Sequence, residues 1–170
     1  MTSPALKILI TGGTGSFGHT VTQKLLERED VAEIRILSRD EAKQDQMRHD
    51  LGDDRLRFYL GDIRDYTSVS RAVRDVDYVF HAAALKQVPS CEFFPMEAVR
   101  TNIYGSDNVV RASDEAGVRS LVCLSTDKAV YPVNAMGMSK ALMEKVALSH
   151  GLNNPTAATT VSCVRYGNVM

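Results

Sequence analysis

Lys7-Ile8-Leu9-Ile10-Thr11-Gly12-Gly13-Thr14-Gly15-Ser16-Phe17-Gly18 is an apolar run that breaks into glycines and then into a helical pattern carried by Val21, Leu25 and Leu26. Gly12, Gly15 and Gly18 are spaced GxxGxxG. The spacing fits a strand that turns directly into a helix. Gly12 permits the tight turn, Gly15 lets backbone approach a pyrophosphate, and Gly18 allows the helix to pack closely on the strand. The helix start then offers unpaired N–H groups and a partial positive charge, a ready site for phosphate. A glycine loop alone is a weak signal; its place between a first strand and a first helix makes it strong. Thr14, Ser16 and Phe17 lie in the same loop and join the three glycines as expected cofactor contacts.

Working outward, further apolar runs occupy Glu33–Leu37, Leu56–Leu60, Tyr78–Ala83, Ser120–Ser125 and Thr159–Arg165. Between them, Val69, Val73 and Val76, then Val99, Ile103 and Val110, then Leu142 and Val146 recur at helical spacing. Strands that are apolar on both faces and alternate with helices imply a parallel sheet covered on each side. The fold class is therefore α/β, a doubly wound parallel sheet of the Rossmann type. Asp40–Asp54 is the most polar stretch and reads as a solvated helix and loop. The last strand runs through Arg165-Tyr166-Gly167-Asn168-Val169-Met170 without a closing helix. Residues 1–170 are accordingly expected to form the dinucleotide-binding N-terminal part of a longer enzyme, without its C-terminal substrate-binding part.

The chain has 170 residues, 20 basic against 21 acidic, and is 44% hydrophobic. That is the profile of a globular domain able to fold on packing alone, and it excludes disorder. Near-neutral charge gives no electrostatic reason to expect nucleic acid or an anionic membrane. A small-molecule ligand is the expectation. Cys91, Cys123 and Cys163 form neither a CxxC pair nor an even set, which points to reduced, buried thiols in a cytoplasmic protein. The N-terminal residues carry too few apolar side chains for a signal segment or a span of about 20 residues. No His, Cys, Asp or Glu group has metal-ligand spacing, so no metal is expected.

In a dinucleotide fold the residues ending the second strand select the cofactor. Here they are Ser38 and Arg39, a hydroxyl and a guanidinium suited to a 2′-phosphate, and Lys43 is four residues further on. The expected cofactor is NADP, with Asp40 the residue that argues for NAD. Asp62 and Ile63 follow the third strand, where a carboxylate can bind the adenine amino group or simply cap the loop. Ala82 and Ala83 end the fourth run, and their small side chains let a flat cofactor lie against backbone.

The fifth strand leads into Ser125-Thr126-Asp127-Lys128, then Ala129-Val130-Tyr131-Pro132-Val133-Asn134-Ala135, then Met136-Gly137-Met138-Ser139-Lys140. Reactants in such sheets bind beyond the carboxyl ends of the strands, so Ser125–Lys128 should face the cofactor. Met136 and Lys140, four apart, share a helix face. The chain resembles the extended short-chain dehydrogenase/reductases, whose pattern has tyrosine where Met136 stands and lysine where Lys140 stands. Thr126-Asp127-Lys128-Ala129, His81-Ala82-Ala83-Ala84-Leu85-Lys86 and Ser38-Arg39-Asp40-Glu41 are similar to the inverting UDP-N-acetylglucosamine 4,6-dehydratases. Tyr131-Pro132-Val133-Asn134-Ala135-Met136-Gly137 resembles the capsule and O-antigen branch of that family, in which methionine replaces the tyrosine.

The resemblance implies NADP-dependent 4,6-dehydration of a UDP-sugar with inversion at C5, carried out by a homo-oligomer. It implies Asp127 as the acid at the C6 hydroxyl, Lys128 as the base at C5, and Lys140 at the nicotinamide ribose. Lys86 is implied at cofactor or sugar, Tyr166 at the nicotinamide, and Thr126 and Asn168 at the substrate. A thioether has no proton to exchange, so Met136 cannot take the C4 hydroxyl proton. Lys128 or Lys140, directly or through water, and Tyr131 from the loop are the alternatives. Met136 itself reads as a gap-filling residue lining the sugar pocket. Asn102 is expected to brace the active-site strand, and His81 to be a satisfied structural histidine. A nucleotide-sugar 4-epimerase and a catalytically silent NADP-binding module are the competing readings.

Overall fold

The structure, a computed structural model, describes residues 5–167. In chain order it contains β1 (Leu6–Thr11), α1 (Ser16–Leu26), β2 (Val31–Ser38), α2 (Glu41–Leu51), β3 (Leu56–Leu60), α3 (Tyr66–Val73) and β4 (Tyr78–His81). There follow α4 (Val88–Phe93), α5 (Pro95–Ala98), a π-helical stretch (Val99–Tyr104), α6 (Gly105–Glu115), β5 (Ser120–Thr126), a 3-10 turn (Asp127–Ala129), α7 (Ala135–Asn153) and β6 (Thr160–Tyr166). The sheet order is β3-β2-β1-β4-β5-β6 and every pair is parallel. The doubly wound sheet expected from the alternating runs is therefore the observed fold.

Successive β1 residues show why the runs are continuously apolar. Leu9 faces a core shared with Val69, Val73, Val109, Leu121 and Met143, whereas Ile8 and Ile10 face a second core with Ile34, Ile36, Met47 and Leu56. Each such side chain contributes about 1.5–3 kcal/mol on full burial. The starts of α2, α3 and α7 are fixed by side-chain caps. Asp40 accepts from the Lys43 amide at the start of α2, Asp65 caps α3, and Asn134 caps α7. The polar stretch from Asp40 is thus a capped helix with Gln44 and Met47 buried. Asp40, weighed as a cofactor selector, has this capping role.

One strand ends earlier than the sequence suggests. β4 stops at His81, not Ala83, because the Gly12 turn crosses the chain at that point. A Cβ on Gly12 would lie 2.7 Å from both the N and Cα of Ala83, and Gly12 has φ +66. The neighbours in the sheet that diverge here are β1 and β4, so the crevice between their connections is where such folds bind ligands.

A partly buried carboxylate fastens the far end of the sheet. Asp114 of α6 accepts from the Ala158 and Thr159 amides at 2.7 and 3.1 Å, from His150 at 3.0 Å and from Asn154 at 3.1 Å. Burial disfavours its charge, but the His150 bond and the two amides outweigh that and hold its pKa below the ordinary value. Asp114→Ala is expected to cost about 2–3 kcal/mol, read from a urea midpoint, because it strands two amides. A lowered folded-state pKa means this contribution is present above about pH 4, the unfolded carboxyl value, and is lost as pH falls below it. The difference between parent and variant should therefore shrink on acidification.

Among the described residues, no helix is long and apolar enough to cross a membrane, and no cluster of metal-ligating side chains occurs. Cys91 and Cys123 are buried, whereas Cys163 is partly exposed; none is disulfide-bonded.

Candidate functional site

The glycine loop between β1 and α1 is built by close approach. At Gly18 a Cβ would meet the Gly13 carbonyl oxygen at 2.3 Å and the Gly13 Cα at 2.4 Å. Gly18 therefore packs α1 against the loop itself and not against the strand. Gly13, which the spacing passes over, faces Ile36 of β2 at 2.9 Å. Gly15 is the N-terminal cap of α1 with no side-chain cap, and a Cβ there would meet only the Gly12 carbonyl, at 3.3 Å. The amides of Ser16, Phe17 and Gly18 begin the helix beyond it. Space and donors are thus kept together at one helix end.

A directed hydrogen-bond chain holds the crevice in shape. Ser106 donates to the Asn102 carbonyl at 2.7 Å, so it accepts from His81 Nε2, also at 2.7 Å. His81 Nδ1 then accepts from the Thr11 hydroxyl at 2.6 Å, and that oxygen accepts from the Ala83 amide at 3.3 Å. One histidine tautomer connects β1, β4 and α6. Burial, reinforced by Lys140, lowers the His81 pKa to about 3, so the ring stays neutral in this role. Asn102, on the π-helical stretch, accepts from the Leu85 amide and donates to the Leu85 carbonyl and the Ser139 hydroxyl. What it braces is the segment after β4 and the start of α7, not a strand.

At the end of β2, the Ser38 hydroxyl accepts from Gln44 at 3.0 Å. Arg39 is half exposed and lies 3.5 Å from Asp62, and Lys43 lies 3.3 Å from Asp40. Asp62 also accepts from the Arg64 amide and pairs with its guanidinium at 2.6 Å. Burial raises the Asp62 pKa, but these partners prevail and hold it low. Ile63 is buried, its side chain against Gly105 and its carbonyl bonded to Asn108.

Beyond β5, Thr126 donates to Asp127 at 2.9 Å and accepts from the Lys128 amide at 3.3 Å, and the Lys128 ammonium lies 3.4 Å from Asp127. The Thr126 bond, with Lys128 second to it, lowers the Asp127 pKa, and its side chain is 55% exposed. Tyr166 of β6 is the register partner of Thr126, and Gly167 runs past Asp127. Ser125, by contrast, is turned inward and donates to Glu144. Met136 is 5% exposed and packs with Cys91 and Ala98. Tyr131 is 93% exposed on the preceding loop, at φ +48. Lys140 is 7% exposed and donates to the Leu124 carbonyl; burial lowers its pKa to about 8.

The sequence model of a family described as polysaccharide biosynthesis protein matches residues 8–170. The chain belongs to this family. It is 57% identical over 166 residues to a UDP-glucose 4-epimerase of Rickettsia bellii, covering 96% of this chain and 49% of the relative. Among solved structures it is similar to Pen from Bacillus thuringiensis, with a TM-score of 0.94 and 37% identity over 100% of this chain and 52% of that one. A dTDP-glucose 4,6-dehydratase from Streptomyces venezuelae, solved with NAD and TYD bound, follows at 0.82 and 28% identity, covering 94% and 55%. The chain spans about half the length of the curated relatives it matches.

The chain brings Gly12, Gly15, Gly18, Ala82 and Ala83 to one crevice, and Thr126, Asp127, Lys128 and Tyr166 to the adjoining end of β5 and β6. Lys86 stands exposed on the loop after β4. Asn168 lies outside the described residues. Sequence reasoning missed Glu144 and Arg165. Glu144 follows Lys140 by four residues, as Lys140 follows Met136, so the shared helix face was a readable signal.

Proposed function

We propose that the chain is the dinucleotide-binding part of a longer NADP-dependent enzyme that dehydrates UDP-N-acetylglucosamine across C4–C6 with inversion at C5, for capsule or O-antigen synthesis. The observation that carries the reading is the adjacent Asp127 and Lys128 on the turn beyond β5, beside a buried Met136 that cannot exchange a proton. Dehydration needs an acid at the C6 hydroxyl and a base at C5; 4-epimerisation needs neither.

The crevice fits a dinucleotide: Gly15 leaves room above a helix start with no side-chain cap, and Gly12 has the backbone conformation the turn requires. Gly12 to Gly18, with Thr14, Ser16 and Phe17, would hold the pyrophosphate; Ser38, Arg39 and Lys43 would hold the 2′-phosphate. Asp62 and the Ile63 backbone would meet the adenine. Ala82, Ala83, Lys86, Lys140 and Tyr166 would line the nicotinamide end. When bound, the dinucleotide would supply a hydride acceptor for C4 and a hydride donor for C6. Lys128 would take the C5 proton, and a proton returned to C5 from the opposite face once C6 is reduced would invert that centre. Asp127 gives a proton to the departing C6 hydroxyl, which requires substrate to cover the carboxyl and exchange its Thr126 bond for the sugar. Lys140 holds the ribose and supplies positive potential, and Lys128 or Lys140 receives the C4 hydroxyl proton, since Tyr131 points into solvent. Thr126 and Asn168 are assigned to the sugar. Met138 and Leu142, exposed one turn apart on α7, support a homo-oligomer, and the unpaired cysteines support a cytoplasmic setting.

The 57% identity to a named UDP-glucose 4-epimerase favours a second reading, in which Asp127 and Lys128 only shape the pocket. Product analysis separates the two: a dehydrated sugar lacks the C6 oxygen, and an epimer keeps it. The cofactor assignment has its own test. Arg39→Ala is expected to weaken NADP by about 10- to 150-fold in Kd, the value of a charge-assisted contact, while NAD changes little. Equal losses for both dinucleotides would remove Arg39 from the 2′-phosphate.

A further inference from the structure

Glu144 is a buried carboxylate with three donors from two strands. Arg165 of β6 reaches it through Nε at 2.9 Å and through Nη2 at 2.6 Å, and Ser125 of β5 donates to the same group. Lys140, one helical turn earlier on α7, donates to the carbonyl of Leu124, the residue before Ser125. Two consecutive residues of β5 are therefore gripped by two side chains one turn apart. This double attachment fixes how far α7 slides along β5, and hence where Lys140 stands relative to the turn carrying Asp127 and Lys128.

The charges around Lys140 are few. Cys123 of β5 and Cys163 of β6 face it as register partners, His81 of β4 is neutral, and among the described residues Glu144 is the only carboxylate that acts on it. Asp127 and Lys128 lie on the exposed side of their turn. An ammonium that is 7% exposed needs a nearby anion, because burial disfavours its charge.

We infer that Glu144 is a positioning residue for Lys140: clamped by Arg165 and Ser125, it sets the register of α7 on β5 and supplies the buried countercharge of the Lys140 ammonium. The functional weight of Lys140 rests on the reading above, but the countercharge does not. The arrangement gives two variants with opposite signs. Removing the Glu144 charge takes away an attraction and leaves Arg165 uncompensated, so Lys140 loses its proton more easily. Removing Arg165 leaves Glu144 less neutralised, so Lys140 holds its proton more tightly.

The test is a pH titration of the Lys140 side chain by NMR in the full-length protein labelled with 13C at lysine Cε, the signal assigned with Lys140→Arg. No substrate or cofactor is needed, so the outcome is independent of the dehydratase reading. Glu144→Gln is expected to lower the Lys140 midpoint from about 8 by about one pH unit. Arg165→Gln is expected to raise it. An unchanged midpoint in folded Glu144→Gln would overturn the inference, since a merely structural role moves stability and not this titration. If Glu144→Gln does not fold, Arg165→Gln decides alone: a rise supports the countercharge, and no change refutes it.

Discussion

Lys128→Ala is expected to abolish exchange of the C5 proton of the UDP-sugar while leaving NADP affinity within about twofold. A general base contributes roughly 100- to 10,000-fold, so the loss should far exceed that of any neighbouring truncation except Asp127. The reason lies in placement. Lys128 stands on the turn that extends β5 past the sheet, next to Asp127, and away from the glycine loop that would bind the pyrophosphate. Binding and proton transfer are therefore served by different segments. Deuterium incorporation at C5 measures the second, and dinucleotide titration measures the first. Full exchange in the variant would take the base role from Lys128 and leave the pair as pocket wall.

Gly18→Ala is expected to be the most damaging single methyl in the glycine loop. The added carbon would fall 2.3 Å from the Gly13 carbonyl oxygen and 2.4 Å from its Cα, both backbone atoms. Neither can rotate away, so α1 must shift off the loop. Overpacking costs about 1–3 kcal/mol, and backbone obstruction puts this site at the upper end. Dinucleotide affinity should fall with it, because the displaced helix start carries the Ser16 and Phe17 amides. Gly151→Ala is the matched control. Nothing lies within 4 Å of a Cβ there, on helix α7, so removing glycine's excess freedom should stabilise by about 0.5–1 kcal/mol. A Gly18→Ala protein with unchanged urea midpoint and affinity would mean that the loop and α1 do not pack as described.

The strands were legible because both faces of this sheet are buried: Ile8, Leu9 and Ile10 point alternately into two cores, and the run is apolar throughout. The end of β4 was not legible. It is set by Gly12 crossing Ala83, two residues 71 positions apart whose contact no local pattern reports. The π-helical turn at Val99–Tyr104 is likewise hidden, since Val99, Ile103 and Val110 suit ordinary helical spacing and the Asn102 side chain finds its partners on distant Leu85 and Ser139. In the site, the glycine spacing and Lys140 stood out by position along the chain. Glu144 shares the helix face of Lys140 by spacing, but its burial is not local information: a helical glutamate usually faces water, and this one is held by Arg165, 21 residues later on another strand. Ser125 reads as part of the reactive turn, yet the pleat sends its hydroxyl inward.

The most direct measurement is mass spectrometry of UDP-N-acetylglucosamine incubated with the full-length protein and catalytic NADP in deuterated water. The expected product has lost one water and carries deuterium at C5, showing that Met136 is compatible with oxidation at C4. A product of unchanged formula, inverted at C4 and retaining the C6 oxygen, would contradict the dehydratase account and make the enzyme an epimerase.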